Sequence, residues 1–205
     1  KEEFDHVIPM DGDGEDRPVE IKRFIDKLDN NLEKPIVGER IKRSEGVFFK
    51  LCYFAHKLIT FIFTGQSIKF GNYTCLPKLV VEQMLRDAST WSSFSGSLAK
   101  LTRNRTSIPS IRGSRYFGPS KMSFSNLIKH SLSIVAVFKQ TVIIRSIIFL
   151  LVYLFFTYQS LSIITLIPVF FTIFLIYSVI TLSYRENITE LNNSLENIIS
   201  VEKIK

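Results

Sequence analysis

Four carboxylates fall within six residues near the start of the chain: Asp11, Asp13, Glu15 and Asp16, spaced by Gly12 and Gly14 and followed by Arg17-Pro18. Asp11 and Asp13 share one side of the chain wherever it is extended, because alternate residues then point the same way. Two carboxylates on one side can hold a single hard cation. Mg²⁺ or Mn²⁺ held by one or two carboxylates completes its shell with water and substrate phosphates. Two other readings compete. Asp-Gly-rich segments also make plain solvated turns. An EF-hand calcium loop begun at Asp11 would need Gly at its sixth position and Glu at its twelfth, where the sequence has Asp16 and Lys22. The calcium loop is excluded.

The neighbouring residues say how such acids would be positioned. His6-Val7-Ile8 is a short apolar run, and a helical pattern with Val19, Ile21, Phe24, Ile25 and Leu28 follows. Asp16 and Pro18 suit a helix start. The stretch therefore reads as strand, acidic turn and helix, and in α/β proteins such strand ends face the crevice where ligands bind. Lys34-Pro35 stops the helix, and Ile36-Val37-Gly38 reads as a second strand ending at Glu39 and Arg40. A strand, helix, strand unit accounts for residues 4–40.

Residues 47–63 are helical in pattern, with Lys50 and Lys57 as their only full charges. The pattern fits a helix packed on the domain with one face toward lipid. Gly65-Gln66-Ser67 breaks it. Residues 70–74 read as a loop or short strand, and Pro77 opens a helix to about Leu85. Residues 89–97 read as a Ser-rich loop around Trp91 and Phe94. Residues 102–121 carry Arg103, Arg105, Arg112, Arg115 and Lys121 with no acid among them. Cys52 and Cys75 have no metal-binding spacing, and His6, His56 and His130 are scattered.

The last third is a different chemistry. From Ser146 to Tyr184 there is no charged residue. That run of about forty residues would extend roughly 60 Å as a helix, twice a hydrocarbon core of ~30 Å. Two spans share it, about 142–158 and 161–183, with the turn at Tyr158-Gln159-Ser160. An amphipathic helix over 123–139 leads in, and a tail over 186–205 with Ile188, Leu191, Leu195 and Ile198 suits self-association or resting on the domain. The net charge of +7 could point to nucleic acid. Many basic residues, however, cluster at 100–145, where they fit an anionic membrane face better. Lys139 and Arg145 precede the hairpin and Arg185 follows it, so the positive-inside rule puts both ends in the cytoplasm.

The segment Ile8-Pro9-Met10-Asp11-Gly12-Asp13-Gly14-Glu15-Asp16-Arg17-Pro18 resembles the D-x-D segment of family 2 glycosyltransferases with the GT-A fold. It is most similar to the polyprenyl-phosphate, dolichol-phosphate mannose synthase-like branch. Arg115-Tyr116-Phe117-Gly118-Pro119-Ser120-Lys121 resembles that branch's R-x-x-G-x-S-K segment, and the membrane hairpin after it matches the branch's architecture. The resemblance implies that Asp11 and Asp13 hold Mg²⁺ or Mn²⁺ and the donor diphosphate, with Glu15 a further metal ligand. It implies that Arg115, Ser120 and Lys121, and more weakly Arg40, meet donor or acceptor phosphates.

Two departures matter. The branch carries an Asp near where Ile68-Lys69-Phe70-Gly71-Asn72-Tyr73 stands here, and no Asp is present. A phosphate acceptor is largely ionised near neutral pH, with a second pKa of about 6, and needs little help from a base. The family also places its nucleotide-binding strands before the D-x-D, where this sequence has only residues 1–10.

The expectation is an α/β fold: a partial GT-A (Rossmann-like) domain over 1–122, an interfacial helix over 123–140, a transmembrane hairpin over 141–184 and a cytoplasmic helical tail over 185–205. The expected activity is transfer of a sugar from a nucleotide-sugar donor to polyprenyl phosphate at the cell membrane, with the catalytic part in the cytoplasm. This piece alone is expected to be inactive. The competing readings are a glycosyltransferase with a saccharide acceptor, and a non-enzymatic membrane protein that binds anionic lipid through its basic segment. Neither the sugar, the nucleotide nor the oligomeric state is legible.

Overall fold

The acidic turn lies between a short strand and a helix. In the computed structural model, which describes residues 3–28, 32–42, 47–118 and 123–197, His6–Val7 forms β1. A 3₁₀ turn over Pro18–Glu20 leads into α1, Ile21–Leu28. Pro18 suits that entry because its fixed φ and missing N–H are harmless in a first turn. The remaining strands are β2, Ile36–Lys42, β3, Phe70–Pro77, and β4, Thr106–Ile111.

The four strands form one mixed sheet in the order β1-β3-β2-β4. β3 is antiparallel to both of its neighbours, while β2 and β4 are parallel, with Ile36 opposite Thr106 and Gly38 opposite Ile108. The expected strand, helix, strand unit is present, but its two strands are not adjacent. β3 lies between them, with Leu76 and Pro77 taking the pairing of Val7 and His6.

Strand alternation divides the core in two. On one face Phe24 of α1 packs with Ile36, Tyr73, Cys75 and Ile108. On the other, Val37 and Leu76 pack with Val80, Met84 and Leu98 from α3, Lys78–Arg86, and α5, Phe94–Leu101. A third cluster joins sheet domain to hairpin. It comprises Phe63 of α2, Val47–Thr64, Val135 and Ala136 of α6, Phe124–Ala136, Val142 of α7, Lys139–Thr157, and Leu175 and Val179 of α8, Ile163–Ser183.

Helices α7 and α8 are long and apolar enough to cross a membrane. Only 11% of the apolar stretch of α7 and 22% of that of α8 is buried in the molecule, so most of each helix faces outward. Outward side chains such as Phe156, 77% exposed, and Ile163, 86% exposed, form an apolar surface suited to hydrocarbon. A 3₁₀ turn over Tyr158–Ser160 joins the two, and Ser162 with Thr165 makes a capping box that starts α8. The result is an α/β sheet domain followed by a hairpin of two membrane-length helices.

Three segments differ from the sequence reading. Residues 89–97 are two short helices, α4, Ser89–Ser92, and α5, rather than a loop. Small residues dominate there because α5 is buried against α6: a Cβ on Gly96 would lie 2.9 Å from a Val137 methyl. Residues 106–111 form a strand where only a basic run was read. The lead-in helix α6 ends at Ala136, and its last turn, Ser133–Ala136, is buried. In the tail, α9, Ile188–Asn193, rests on α4, where Trp91 Nε1 donates to a Glu190 carboxylate oxygen at 2.6 Å. Residues 198–205 lie outside the described residues.

Candidate functional site

The acidic turn is shaped by its glycines. Gly14 is buried with φ +91, a conformation that disfavours any residue with a Cβ. The Tyr116 ring lies against it, so an added Cβ would come within 2.9 Å of three ring atoms. A Cβ on Gly113 would lie 2.4 Å from the Gly14 carbonyl oxygen. The backbone after β4 therefore runs in direct contact with the turn. Gly113 N–H donates to the Glu15 carbonyl at 2.8 Å, and Tyr116 N–H to the Asp13 carbonyl at 2.9 Å.

Side chains complete this clasp. Arg115 Nε donates to Glu15 Oε1 at 2.8 Å, and Arg112 donates to Glu15 Oε2. The Arg115 guanidinium also lies 3.3 Å from Asp13 Oδ2. Burial alone would raise the Glu15 pKa, but the hydrogen bonds and charges of Arg115 and Arg112 outweigh it and hold the carboxyl below its ordinary value. Asp13 Oδ1 accepts the Glu15 N–H at 3.0 Å.

Asp16 behaves oppositely. It is buried and accepts the Asp11 N–H at 3.1 Å. Burial pushes its pKa up and the charges of Asp11 and Asp13 add to this, while the Asp11 N–H and the Arg40 charge oppose it. The Arg40 guanidinium, from β2, lies against Gly71 of β3, 3.5 Å from where a Cβ there would stand.

Two residues that the sequence did not single out fix the turn to the sheet. Glu20 is almost wholly buried and accepts Ser110 Oγ at 2.7 Å and Ile111 N–H at 2.9 Å. Those bonds tie the start of α1 to the end of β4, from which the clasp departs. Tyr73 donates its hydroxyl to the Arg17 carbonyl at 2.7 Å and packs edge-on against Phe24. Burial, followed by the charges of Glu20 and Asp16, pushes its pKa up to about 12. The only sequence signal for Glu20 was an acid on the apolar side of a helical pattern. Tyr73 had none.

Of the residues singled out from sequence, Asp13, Glu15 and Arg115 come together, and the Asp11 backbone N–H bonds to Asp16 in the same turn. Ser120 and Lys121 lie outside the described residues. Among the described residues no group of three His, Cys, Asp or Glu side chains converges as a metal cage. Asp11 is exposed and Asp13 partly so, and their carboxylates offer oxygen donors only. That donor set fits Mg²⁺ or Mn²⁺ with water and phosphate as the other ligands, and not a softer metal.

The chain is similar to curated proteins over part of its length. It is 33% identical over 133 residues to the undecaprenyl-phosphate 4-deoxy-4-formamido-L-arabinose transferases of Salmonella paratyphi B and Salmonella newport. The same holds for the transferase of that name from Salmonella heidelberg. The match covers 60% of this chain and 38% of each relative, so the chain spans well under half the length of the curated proteins it matches. No family model matches the chain, and no solved structure matches it.

Proposed function

We propose that the chain is part of a family 2 glycosyltransferase of GT-A type, anchored in the membrane by its hairpin. The enzyme would move a sugar from a nucleotide-sugar donor to polyprenyl phosphate, with the sheet domain on the cytoplasmic side. The observation that carries this reading is the clasp of Arg112 and Arg115 on the acidic turn, in the chain segment that runs on toward the membrane helices. The similarity to undecaprenyl-phosphate transferases supports the same acceptor class.

In this reading Asp11 and Asp13 hold a divalent cation. When bound, that cation neutralises the charge of the departing nucleoside diphosphate. Glu15 sets the two arginines in place: its carboxylate fixes Arg115 Nε and leaves other guanidinium N–H groups to turn toward phosphate. Arg40 adds positive charge from the β2 end of the site. Arg115 near Asp13 keeps the acidic turn partly neutralised until phosphate and cation arrive together. An ionised phosphate oxygen of the acceptor can attack the sugar carbon directly, so the reaction does not require an Asp in residues 68–73.

The test is Arg115→Lys in the complete enzyme. Lys keeps the charge but loses the planar fork that binds phosphate through two parallel bonds. Sugar transfer to undecaprenyl phosphate should fall roughly tenfold or more, with membrane association unchanged. Transfer indifferent to the substitution would remove Arg115 from phosphate recognition. Transfer to a free saccharide in place of the lipid phosphate would establish the competing acceptor class.

A further inference from the structure

We propose that the sheet domain carries a phosphate site apart from the acidic turn, in which Arg103 and Arg105 hold a phosphate monoester. A cavity of about 180 Å³ opens between β2, the start of β3 and the loop that leads into β4. Glu39, Ser67, Lys69, Phe70, Arg103 and Arg105 are in its lining. Its charges do not balance. Lys69 and Glu39 neutralise each other, with Nζ 2.9 Å from the carboxylate oxygen. Among the described residues neither Arg103 nor Arg105 has a carboxylate partner. Two positive charges are left over in one small cavity.

Arg105 is half-buried and held in place. Its Nη1 donates to the Thr102 carbonyl, and to the Ala99 carbonyl at 3.3 Å. The guanidinium also stands over the Phe70 ring, 5.3 Å from its centre. Nη1 carries two of the five guanidinium N–H groups, so Nε and Nη2 keep three for a ligand. Burial pushes the Arg105 pKa down, because it strips water from the charge. A guanidinium nevertheless stays protonated in proteins. It cannot escape the cost by losing its proton, so an anion brought to it lowers that cost.

Size and charge choose the anion. The cavity is smaller than the ~300–1,000 Å³ that takes a whole cofactor or nucleotide. It suits a single head group. A carboxylate or a phosphate diester brings one negative charge, whereas a phosphate monoester brings about −1.5 to −2 at pH 7. Only the monoester matches both arginines. Position separates this site from the acidic turn. Arg105 immediately precedes β4, and the clasp on the turn leaves the other end of that strand, five steps or roughly 16 Å away. Two sources fit the chemistry. A soluble phosphate ester can enter from water. A lipid head group can enter from the hairpin side, because Ser67 follows closely on Gly65, where an added Cβ would lie 3.0 Å from Arg145 of α7.

The test is calorimetric titration of the whole protein in nanodiscs of phosphatidylcholine with inorganic phosphate, at neutral pH, with chelator and without sugar nucleotide. One phosphate should bind. Binding should weaken roughly tenfold or more in Arg103→Gln and in Arg105→Gln. Arg103 is exposed, so its variant keeps the fold even where loss of the Arg105 carbonyl bonds disturbs it. Arg86→Gln removes an exposed cation from α3 and should leave binding unchanged. Dimethyl phosphate, a diester, should bind roughly tenfold or more weakly than phosphate. Absence of binding, an equal loss in Arg86→Gln, or equal binding of dimethyl phosphate overturns the proposal. Nanodiscs that contain phosphatidic acid identify the source. Competition with inorganic phosphate assigns the site to a lipid head group, and its absence assigns the site to a soluble ester. Arg115→Lys should leave this binding intact, so failure here and failure of the proposed function are read separately.

Discussion

Replacing Gly14 by Ala is the sharpest probe of how the acidic turn is built. The backbone there has φ +91. An L-residue held in left-handed territory costs roughly 1–2 kcal/mol. The new Cβ would also sit 2.9 Å from the Tyr116 ring. Overpacking costs about 1–3 kcal/mol, and the low end applies because the ring is 63% exposed and can swing aside. The sum is a loss of about 2–3 kcal/mol. The steric share depends on Tyr116 and the backbone share does not. In a Tyr116→Ala background the same substitution should therefore cost only about 1–2 kcal/mol, leaving a coupling near 1 kcal/mol. Denaturant unfolding in detergent micelles reads this through Trp91, the single tryptophan. A Gly14→Ala cost below about 0.5 kcal/mol, or one identical in both backgrounds, would refute the claim that the segment after β4 clasps the turn.

Acid should loosen the clasp in a defined direction. The folded-state pKa of Glu15 lies below its ordinary value, so its contribution is complete above the unfolded pKa of about 4.3 and is lost as pH falls through the lower folded value. Asp16, with its raised pKa, contributes the opposite sign, favouring the folded state as it becomes protonated. Glu15→Gln should therefore remove much of the acid-side loss of stability, and an unfolding series against pH that is the same for parent and variant would contradict the pairing. For the hairpin, cysteines placed at Gln159 and at Glu190 should react with an impermeant thiol reagent from opposite sides of the membrane. Labelling of both from one side would rule out two crossings.

The legible parts of the fold are those with strong local chemistry. The charge-free run from Ser146 to Tyr184 is twice the length one span needs, and α7 and α8 fall close to the expected spans. The acidic turn was legible because Gly and Asp at alternating positions constrain the backbone locally. β4 was not: Thr106–Ile111 follows a run of arginines, is interrupted by Pro109 and is identified only by its parallel pairing with β2. The Ser-rich helices were hidden for a related reason. Serine disfavours helix locally, and only the close approach of α5 to α6 explains why Ser95, Gly96 and Ser97 are buried there. At the site, sequence singled out the carboxylates and Arg115 as separate groups. Their meeting depends on Gly113 and on Glu20 holding the end of β4, and neither leaves a periodic signal.

Metal-dependent sugar transfer by the complete protein, before and after Asp13→Asn, tests the central claim most directly. Asn can still accept the Glu15 N–H through its side-chain oxygen, so the turn should keep its fold while losing one carboxylate of the pair. The expected result is Mn²⁺-dependent transfer to undecaprenyl phosphate in the parent, abolished by chelation and by the substitution. Transfer that persists without divalent metal, or that survives Asp13→Asn undiminished, would show that the acidic turn does not do this chemistry.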